Sequence, residues 1–498
     1  MDSIFDRHAG TLGDRLVPMD QADRASVVVS IAPELANLPA CQHTAWMLIN
    51  LLARADGIVD RVALECPRGV ELAGRIVPLA DRHLDLFDAL ISGAAAVDAV
   101  PVSSCKRVDP ADFNIHFTVG PGLPASGTIR VHGERWWGGF ARREIPGNGF
   151  SPLPFGPYVA AALAMSEVFK AVRLREYVPL ESAFHSLWTM RAAGRPDLDP
   201  AWSGPETVDG VPVSATLAGV GAVGSTWLHA LWATPGLGGA GLLADNDKYG
   251  VDTTNLNRCP IFGRSSVGSA KASEAARICA DADIVLTPHD GPIGTTASDR
   301  PGLMVSAVDT NRSRRAVQGL YPPRLLSGST HDLRAEVLRC DPELSTACIH
   351  CYNPVEPDGE SDDELRKRFL TMDPAEQRQL AEDLKISIDE AVLWGTEGVC
   401  GFAGDQVAAR LRPTSGGLSA FAVGFVSVMA GTMLAALTVQ ESLRLGPLHD
   451  STCRAVFQFF DPLSPRNAPG MLARQSACPM CDPETPADGI WRRRFRTY

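Results

Sequence analysis

The chain has 498 residues, 45% of them hydrophobic and 21% charged, with 46 Lys and Arg against 58 Asp and Glu for a net charge of −12. That is apolar material for two or three cores of about 100 to 200 residues each, which excludes disorder as the dominant state, and the acid excess gives nucleic acid or an anionic membrane no global attraction. The opening stretch MDSIFDRHAGTLGDRL is charged from its second residue and has no apolar signal core, so a cytoplasmic protein is expected.

In chain order, VVVSIAPEL at Val27 to Leu35 reads as a buried strand with no glycine-rich turn after it, and QHTAWMLINLLAR at Gln42 to Arg54 as a helix. A strand-like TIRVHG follows at Thr128 to Gly133. Then come a Pro/Gly-rich turn from Gly147 and an Ala-rich helix from Val159. No catalytic constellation stands out in this half. The stretch GRPDLDPAWSGPE, Gly194 to Glu206, reads as a linker.

Beyond it the pattern becomes strand, helix, strand, helix, strand. The expected elements are an apolar strand from Val211, a helix over Gly224 to Ala233, and a strand ending at Asp245. A helix over Ser269 to Ala280, a strand at Ala282 to Thr287 and another ending at Asp309 complete the set. This predicts an α/β fold, a doubly wound parallel sheet with helices on both faces. A polar helical insertion, DDELRKRFL and PAEQRQLAEDLKISIDEAVLW, comes later. The uncharged run from Leu418 to Val439 is long enough to cross a bilayer. Its glycines and alanines and the lack of a flanking Lys/Arg cluster instead suit a helix buried on all sides. The turn-then-helix pattern of Gly147 to Val172 returns at Gly416 to Leu443, which suggests a degenerate internal repeat.

Two C-x-x-C pairs, Cys348/Cys351 and Cys478/Cys481, each allow two thiolates to grip one face of a tetrahedral Zn2+. Either alone suits a redox dithiol, but neither adjoins a thioredoxin-like pattern. A shared zinc would pin the C-terminal segment back onto the chain before Tyr352.

The segment LAGVGAVGS sets Gly219, Gly221 and Gly224 in a G-x-G-x-x-G turn between a strand and a helix, where backbone N–H groups face an anion. Asp245, at the end of the next strand, is placed to accept bonds from ribose hydroxyls. To this point NAD and ATP both fit. Asn255, Arg258, Lys271 and Asp309 tip the reading toward a triphosphate, since two cations neutralise phosphate oxygens and an acid at a strand tip can hold Mg2+.

On GVGAVG, LLADND with the later NLNR, GSAK, VDTNRSRR and the two cysteine pairs, the chain resembles the ThiF/MoeB-type adenylyltransferases, which include ubiquitin-activating enzymes. The resemblance implies that Gly221 lies under the ATP phosphates, that Asp245 or the second acid Asp247 holds the ribose, that Asn255, Arg258 and Lys271 contact phosphates, that Asp309 binds magnesium, and that Arg314 matches a family arginine. The acid-to-Asn stretch is about two residues longer than expected, leaving Asp245 and Asp247 both open. The family chemistry is attack of a C-terminal carboxylate on the α-phosphate of ATP.

Ubiquitin-activating members also carry a thioester cysteine. Cys400, between the zinc pairs and after the polar insertion, is the candidate, with Cys259 and Cys340 as competitors. The resemblance divides the chain into an inactive adenylation-like domain over 1–193, an active domain in two parts over 207–351 and 416–484, a helical catalytic-cysteine insertion over 352–415, and a tail over 485–498 whose four Arg offer a docking site. It points to the compact ubiquitin-activating enzymes of bacterial conjugation operons, some tied to antiphage defence, with a ubiquitin-like protein and a conjugating enzyme as partners and a homodimer left open. An arginine from the first half is expected at the ATP site, with Arg7, Arg15 and Arg24 not distinguished. The alternatives are a sulfur-carrier or peptide adenylyltransferase without transthiolation, an NAD-dependent oxidoreductase, and a noncatalytic scaffold.

Overall fold

The computed structural model describes residues 17, 21–105, 112–294, 302–331, 333–344, 346–353, 362–383, 387–397, 423–445 and 452–496. The first half runs β1 (Ala25–Ile31), α1 (Pro39–Ala53), β2 (Val59–Glu65), α2 (Leu86–Ala95), β3 (Val102–Ser104), β4 (Ile115–Val119), β5 (Ile129–Glu134), β6 (Trp137–Ala141), α3 (Phe155–Arg173), β7 (Ser182–Ser186) and β8 (Arg191–Ala193). Its eight strands form one sheet in the order β3-β2-β1-β4-β5-β6-β7-β8. The pairs from β3 to β5 are parallel and those from β5 to β8 antiparallel.

A helical turn, α4 (Pro200–Ser203), leads into the second half. There follow β9 (Pro212–Ala218), α5 (Ala222–Ala233), β10 (Gly238–Asp245), α6 (Lys271–Ile278), β11 (Val285–Asp290), β12 (Leu303–Ser306), α7 (Asn311–Gly319), β13 (Arg324–His331), β14 (Arg334–Cys340), α8 (Ile349–Tyr352), α9 (Asp362–Thr371), α10 (Pro374–Asp383), α11 (Ile388–Glu397), α12 (Gly424–Leu443), β15 (Arg454–Gln458), β16 (Pro469–Gly470) and α13 (Pro486–Arg496). The strand order, β11-β10-β9-β12-β13-β14-β15-β16, repeats the plan of the first sheet. The expected parallel sheet is therefore present and is extended by three antiparallel strands. The degenerate repeat is visible as topology.

Alternation along β1 sends Val27, Val29 and Ile31 into a core that continues through both halves to Trp227 and Phe457. Helix α1 opens at a proline, whose fixed φ suits a first helical position, and packs along α3, which in turn packs on α12 and through it on α5. Among the described residues α12 is the one helix long and apolar enough to cross a membrane, and it is buried here between α3 and α5. Close packing explains its small residues: a Cβ on Gly431 would lie 2.6 Å from the carbonyl oxygen of Val223.

The halves hold each other by reciprocal bonds. Lys170 of α3 donates to the carbonyl of Phe459, just after β15, at 3.2 Å. Gln440 of α12 donates to the carbonyl of Leu187, just after β7, at 3.1 Å.

The structure adds detail to three sequence expectations. The stretch Gly194 to Glu206 is exposed along much of its length but anchored at its end: Ser186 Oγ donates to the Trp202 carbonyl at 2.6 Å and Trp136 Nε1 to that of Pro205 at 3.0 Å. Strand β11 begins at Val285, later than expected, and Asp281 ahead of it is held by Trp232 Nε1 at 2.7 Å. The four Arg near the C-terminus belong to α13, where Trp491 is buried and donates to Pro322 O at 2.8 Å. Three of those Arg bond within the fold, to Asp488, Leu320 O and Glu343.

Candidate functional site

The turn between β9 and α5 is shaped by backbone proximity. Gly219 has φ +92, and a Cβ there would sit 2.9 Å from the Ala307 carbonyl oxygen; at Gly224 it would sit 2.0 Å from the oxygen of Gly219. Both positions therefore exclude side chains. Gly221 differs: nothing lies within 4 Å of its Cβ position, so it faces open space at the head of α5. It is the N-cap of α5 and makes no side-chain cap bond, which leaves first-turn N–H groups for an anion.

Asp245, at the tip of β10, accepts from the N–H of Val220 in that turn at 2.7 Å and from the N–H of Asp247 at 2.9 Å. Lys271, the first residue of α6, reaches back so that its Nζ lies 2.5 Å from Asp247 Oδ2, and it is almost fully buried. Burial works against its charge, but the Asp247 hydrogen bond and the charges of Asp245 and Asp247 outweigh that and hold its pKa above the usual lysine value. The structure thus brings the glycine turn, both candidate ribose acids and Lys271 into one group at the carboxyl end of the sheet, the crevice where open α/β sheets take ligands.

The segment after β10 carries the other expected cation. Asn255 is part of a reciprocal cap: its Oδ1 accepts from Asp252 N at 3.0 Å while Asp252 accepts from Asn255 N at 3.1 Å. Through these bonds it shapes the turn, and its side-chain amide nitrogen takes no part in them. Arg258 Nε is buried with no hydrogen-bond partner among the described residues, as are both side-chain polar atoms of Asn257. The start of α12 closes over them, since a Cβ on Gly424 would lie 2.9 Å from the Asn257 oxygen.

From the first half comes a residue that sequence reasoning missed. Arg54, at the end of α1 and 3% exposed, donates to the carbonyls of Leu256 at 2.5 Å, Pro260 at 3.0 Å and Phe262 at 2.8 Å. Its Nε donates to Asn50 Oδ1 at 2.7 Å, and Asn50 in turn donates to Pro260 O. Burial pulls its pKa down to about 9, so the guanidinium still carries its charge at neutral pH. The signal available in sequence was Asn50 and Arg54, four apart at the end of an otherwise apolar helix. Of the three arginines considered, Arg24 is exposed and pairs with Asp56 at 3.5 Å; Arg7 and Arg15 lie outside the described residues.

Strand β12 ends at Ser306, three residues before Asp309, because Thr310 already caps α7 by accepting from Ser313 N at 3.1 Å. Asp309 is thus an exposed turn residue, two beyond the Ala307 carbonyl that faces Gly219. Arg314 turns toward Asn353, bonding its Oδ1 at 3.4 Å and Asn311 Oδ1 at 3.3 Å.

A second centre lies past β14. The thiols of Cys348, Cys351, Cys478 and Cys481 fall within 4.8 Å of one another and are all buried. Their Sγ separations of 3.8, 3.7 and 3.4 Å compare with about 3.8 Å for a tetrahedron of Zn–S bonds near 2.3 Å. The set fits zinc, and the N–H of Gln475 points at Cys351 Sγ at 3.4 Å, a bond that supports a thiolate ligand. Cys259 and Cys340 are both buried, and burial raises both thiol pKa values even though Arg258 and Lys271 stand near Cys259. Neither suits a nucleophile that must meet a partner. Cys400 lies outside the described residues.

A curated relative, the uncharacterized protein y4jF of Sinorhizobium fredii (strain NBRC 101917 / NGR234), is 27% identical over 252 residues, 48% of this chain and 45% of that protein. The chain therefore matches less than half of that relative's length. Among solved structures, the Microcin C7 biosynthetic enzyme MccB in complex with N-formylated MccA is 15% identical with a TM-score of 0.35, covering 55% of this chain and 67% of that one. The E. coli MccB structure with ATP is also 15% identical, at a TM-score of 0.32 over 54% and 67%. Residues 212–478 match the ThiF family. Because that match runs from the first residue of β9 to the third of the four clustered cysteines and takes in more than half of the chain, this protein belongs to the ThiF family.

Proposed function

We propose that the protein is an ATP-dependent activating enzyme for a ubiquitin-like protein, which it adenylates at the C-terminal carboxylate and then takes onto a cysteine for transfer to a conjugating enzyme. The observation that carries the first step is the Lys271–Asp247 pair beside the Asp245-braced glycine turn. It puts a charged lysine and free helix N–H groups at one strand-end crevice. In this reading Gly221 leaves room for the phosphates, Lys271 moves its ammonium from Asp247 to a phosphate oxygen, and Arg258 adds a second cation. Asp245 or Asp247 accepts from the ribose.

Asp309, an exposed carboxylate next to the turn, fits magnesium, which takes one or two carboxylates together with substrate phosphates. Bound there, the ion would neutralise charge on the departing pyrophosphate. The carboxylate oxygen attacks the α-phosphorus, the bond to the β-phosphate oxygen breaks, and acyl-adenylate and pyrophosphate result. For the second step the Cys400 thiolate attacks the acyl carbon and AMP leaves. The first sheet, with the same strand order but no glycine turn after β1, is assigned a supporting role, and residues 352–415 the cysteine region.

The test combines the protein, ATP and a ubiquitin-like protein ending in Gly. ATP–pyrophosphate exchange that depends on that protein, with a thiol-sensitive adduct lost in Cys400→Ala, supports both steps. Exchange with no adduct would reduce the reading to an adenylyltransferase without transthiolation. Absence of exchange with any ubiquitin-like protein or peptide would overturn it.

A further inference from the structure

Four polar side chains form a row across the first sheet. Register sets Glu65 beside Ser30, Ser30 beside Thr118, and Thr118 beside Arg130, so all four project from one face. That face is opposite α1, since the alternating Val29, Ile31, Val119 and Val131 enter the core with that helix. With Pro33 and Cys66 at its rim, the row lines a cavity of about 450 Å³, within the usual range for small-ligand sites.

The row has no charged equivalent in the second sheet. Matched by face and register, its counterparts are Ala244, Ala218, Ser306 and Ser327, and Ala218 is covered there by a cluster with Met304 and Leu325. In the same match Ile31 occupies the place of Gly219 and Cys66 that of Asp245. The turn after β1 brings Pro33, Glu34 and Pro39 in place of glycines. The first crevice has thus lost what binds a polyphosphate and gained an acid and a cation where its counterpart is small.

The bonds within the row leave capacity at both ends. Ser30 Oγ donates to Glu65 Oε2 at 2.7 Å, leaving the other carboxylate oxygen. Arg130 donates to the carbonyls of Pro121, at 3.2 Å, and Leu123. Thr118 Oγ1 and Arg130 Nε, adjacent in the row, are donors with no partner among the described residues. One acceptor anion would serve both.

We propose that this cavity binds a short peptide by its two charged ends, with the carboxylate at Thr118 and Arg130 and the ammonium at Glu65. The row crosses three strand spacings, about 14 Å. Ser30 draws Glu65 inward, and with the reach of both charged side chains taken off, the remaining span suits two or three residues at about 3.5 Å each. A single amino acid is too short to reach both ends. The site is separate from the adenylation crevice and does not depend on the function proposed for it.

The test is calorimetric titration of the full chain with Ala-Ala and Ala-Ala-Ala, each also with its amino end acetylated or its carboxyl end amidated. Expected is saturable binding of the free peptides, weakened about 10- to 100-fold by capping either end, as for lost charged hydrogen bonds. Arg130→Gln and Glu65→Gln should lower affinity similarly, in variants that stay folded with a somewhat lower melting temperature, since each side chain also bonds within the fold. The capping comparison uses the native chain, so it stands even where a variant misfolds. No binding by either peptide, or binding indifferent to capping, overturns the proposal. So does AMP binding tighter than the peptides and lost in Arg130→Gln, which would make the cavity a nucleotide site.

Discussion

Lys271 Nζ rests on Asp247 Oδ2 at 2.5 Å, at the mouth of the glycine turn and out of reach of most solvent. A lysine held this way is charged, oriented and desolvated before any phosphate arrives, so little reorganisation is left for the binding step.

Replacing Lys271 should therefore cost activity. Lys271→Met is expected to lower ATP–pyrophosphate exchange by about 10²- to 10³-fold, the usual range for one preorganised charge donor. Because the change strands Asp247, it should also reduce stability; Lys271→Met with Asp247→Asn should recover the melting temperature and not the exchange. Recovery of exchange in the double variant would show that Lys271 acts only on Asp247.

Arg54 ties the first half to the segment that carries Arg258. Its guanidinium holds three carbonyls there, and lysine, with a single ammonium, cannot match that fan of donors. Arg54→Lys should leave a folded protein of lower melting temperature whose ATP Kd rises about 10-fold, while zinc content stays unchanged. Equilibrium ATP titration and metal analysis on the same preparation check it.

The cysteine cluster joins the C-terminal segment to the second sheet through Cys478 and Cys481, and α13 follows directly. Structural zinc binding is coupled to folding, so Cys478→Ser or strong chelators should release one zinc per chain and lift hydrogen-exchange protection from α13 and α8 first. A protection map unchanged by chelation would mean that the thiols hold no structural metal.

Burial holds His43, His185 and His229 neutral, each lowered from 6.5 to about 3. The unfolded chain takes up protons near pH 6.5 that the folded chain refuses. Their contribution is thus complete above pH 6.5 and falls as the pH drops toward 3, by about 1.4 kcal/mol per unit per histidine, or about 4 for the three. Urea midpoints between pH 7.5 and 5 should fall steeply. His185, whose ring nitrogens have no partner among the described residues and whose ring packs on Phe457 at 4.8 Å, offers the control: His185→Leu should flatten that slope by about a third at little cost near pH 7.5.

How much was legible beforehand follows from where each signal lives. Gly219, Gly221 and Gly224, the carboxylate at Asp245 and the four zinc-type cysteines lie in short local patterns, and α5, β9 and β10 in strong apolar runs, so both were readable from neighbours in sequence. The first sheet was not, because β4 to β8 are only three to six residues long and their order is set by pairing across the whole half. Arg54 looked like the polar end of a helix; its burial is dictated by carbonyls about two hundred positions away. Asn255 fits a phosphate ligand by resemblance; that its side chain also caps its own turn shows only in three dimensions.

The glycine turn as a phosphate seat is tested most directly at Gly221, where a methyl group meets nothing within 4 Å and φ is −78. Gly221→Ala should therefore fold with a melting temperature within about 1 °C of the parent chain, since surface changes of this kind rarely exceed about 0.5 kcal/mol. Its ATP affinity, measured by equilibrium titration, should fall by at least about 10-fold, because the methyl would occupy the place of a phosphate oxygen. Unchanged ATP affinity in that folded variant would contradict the account.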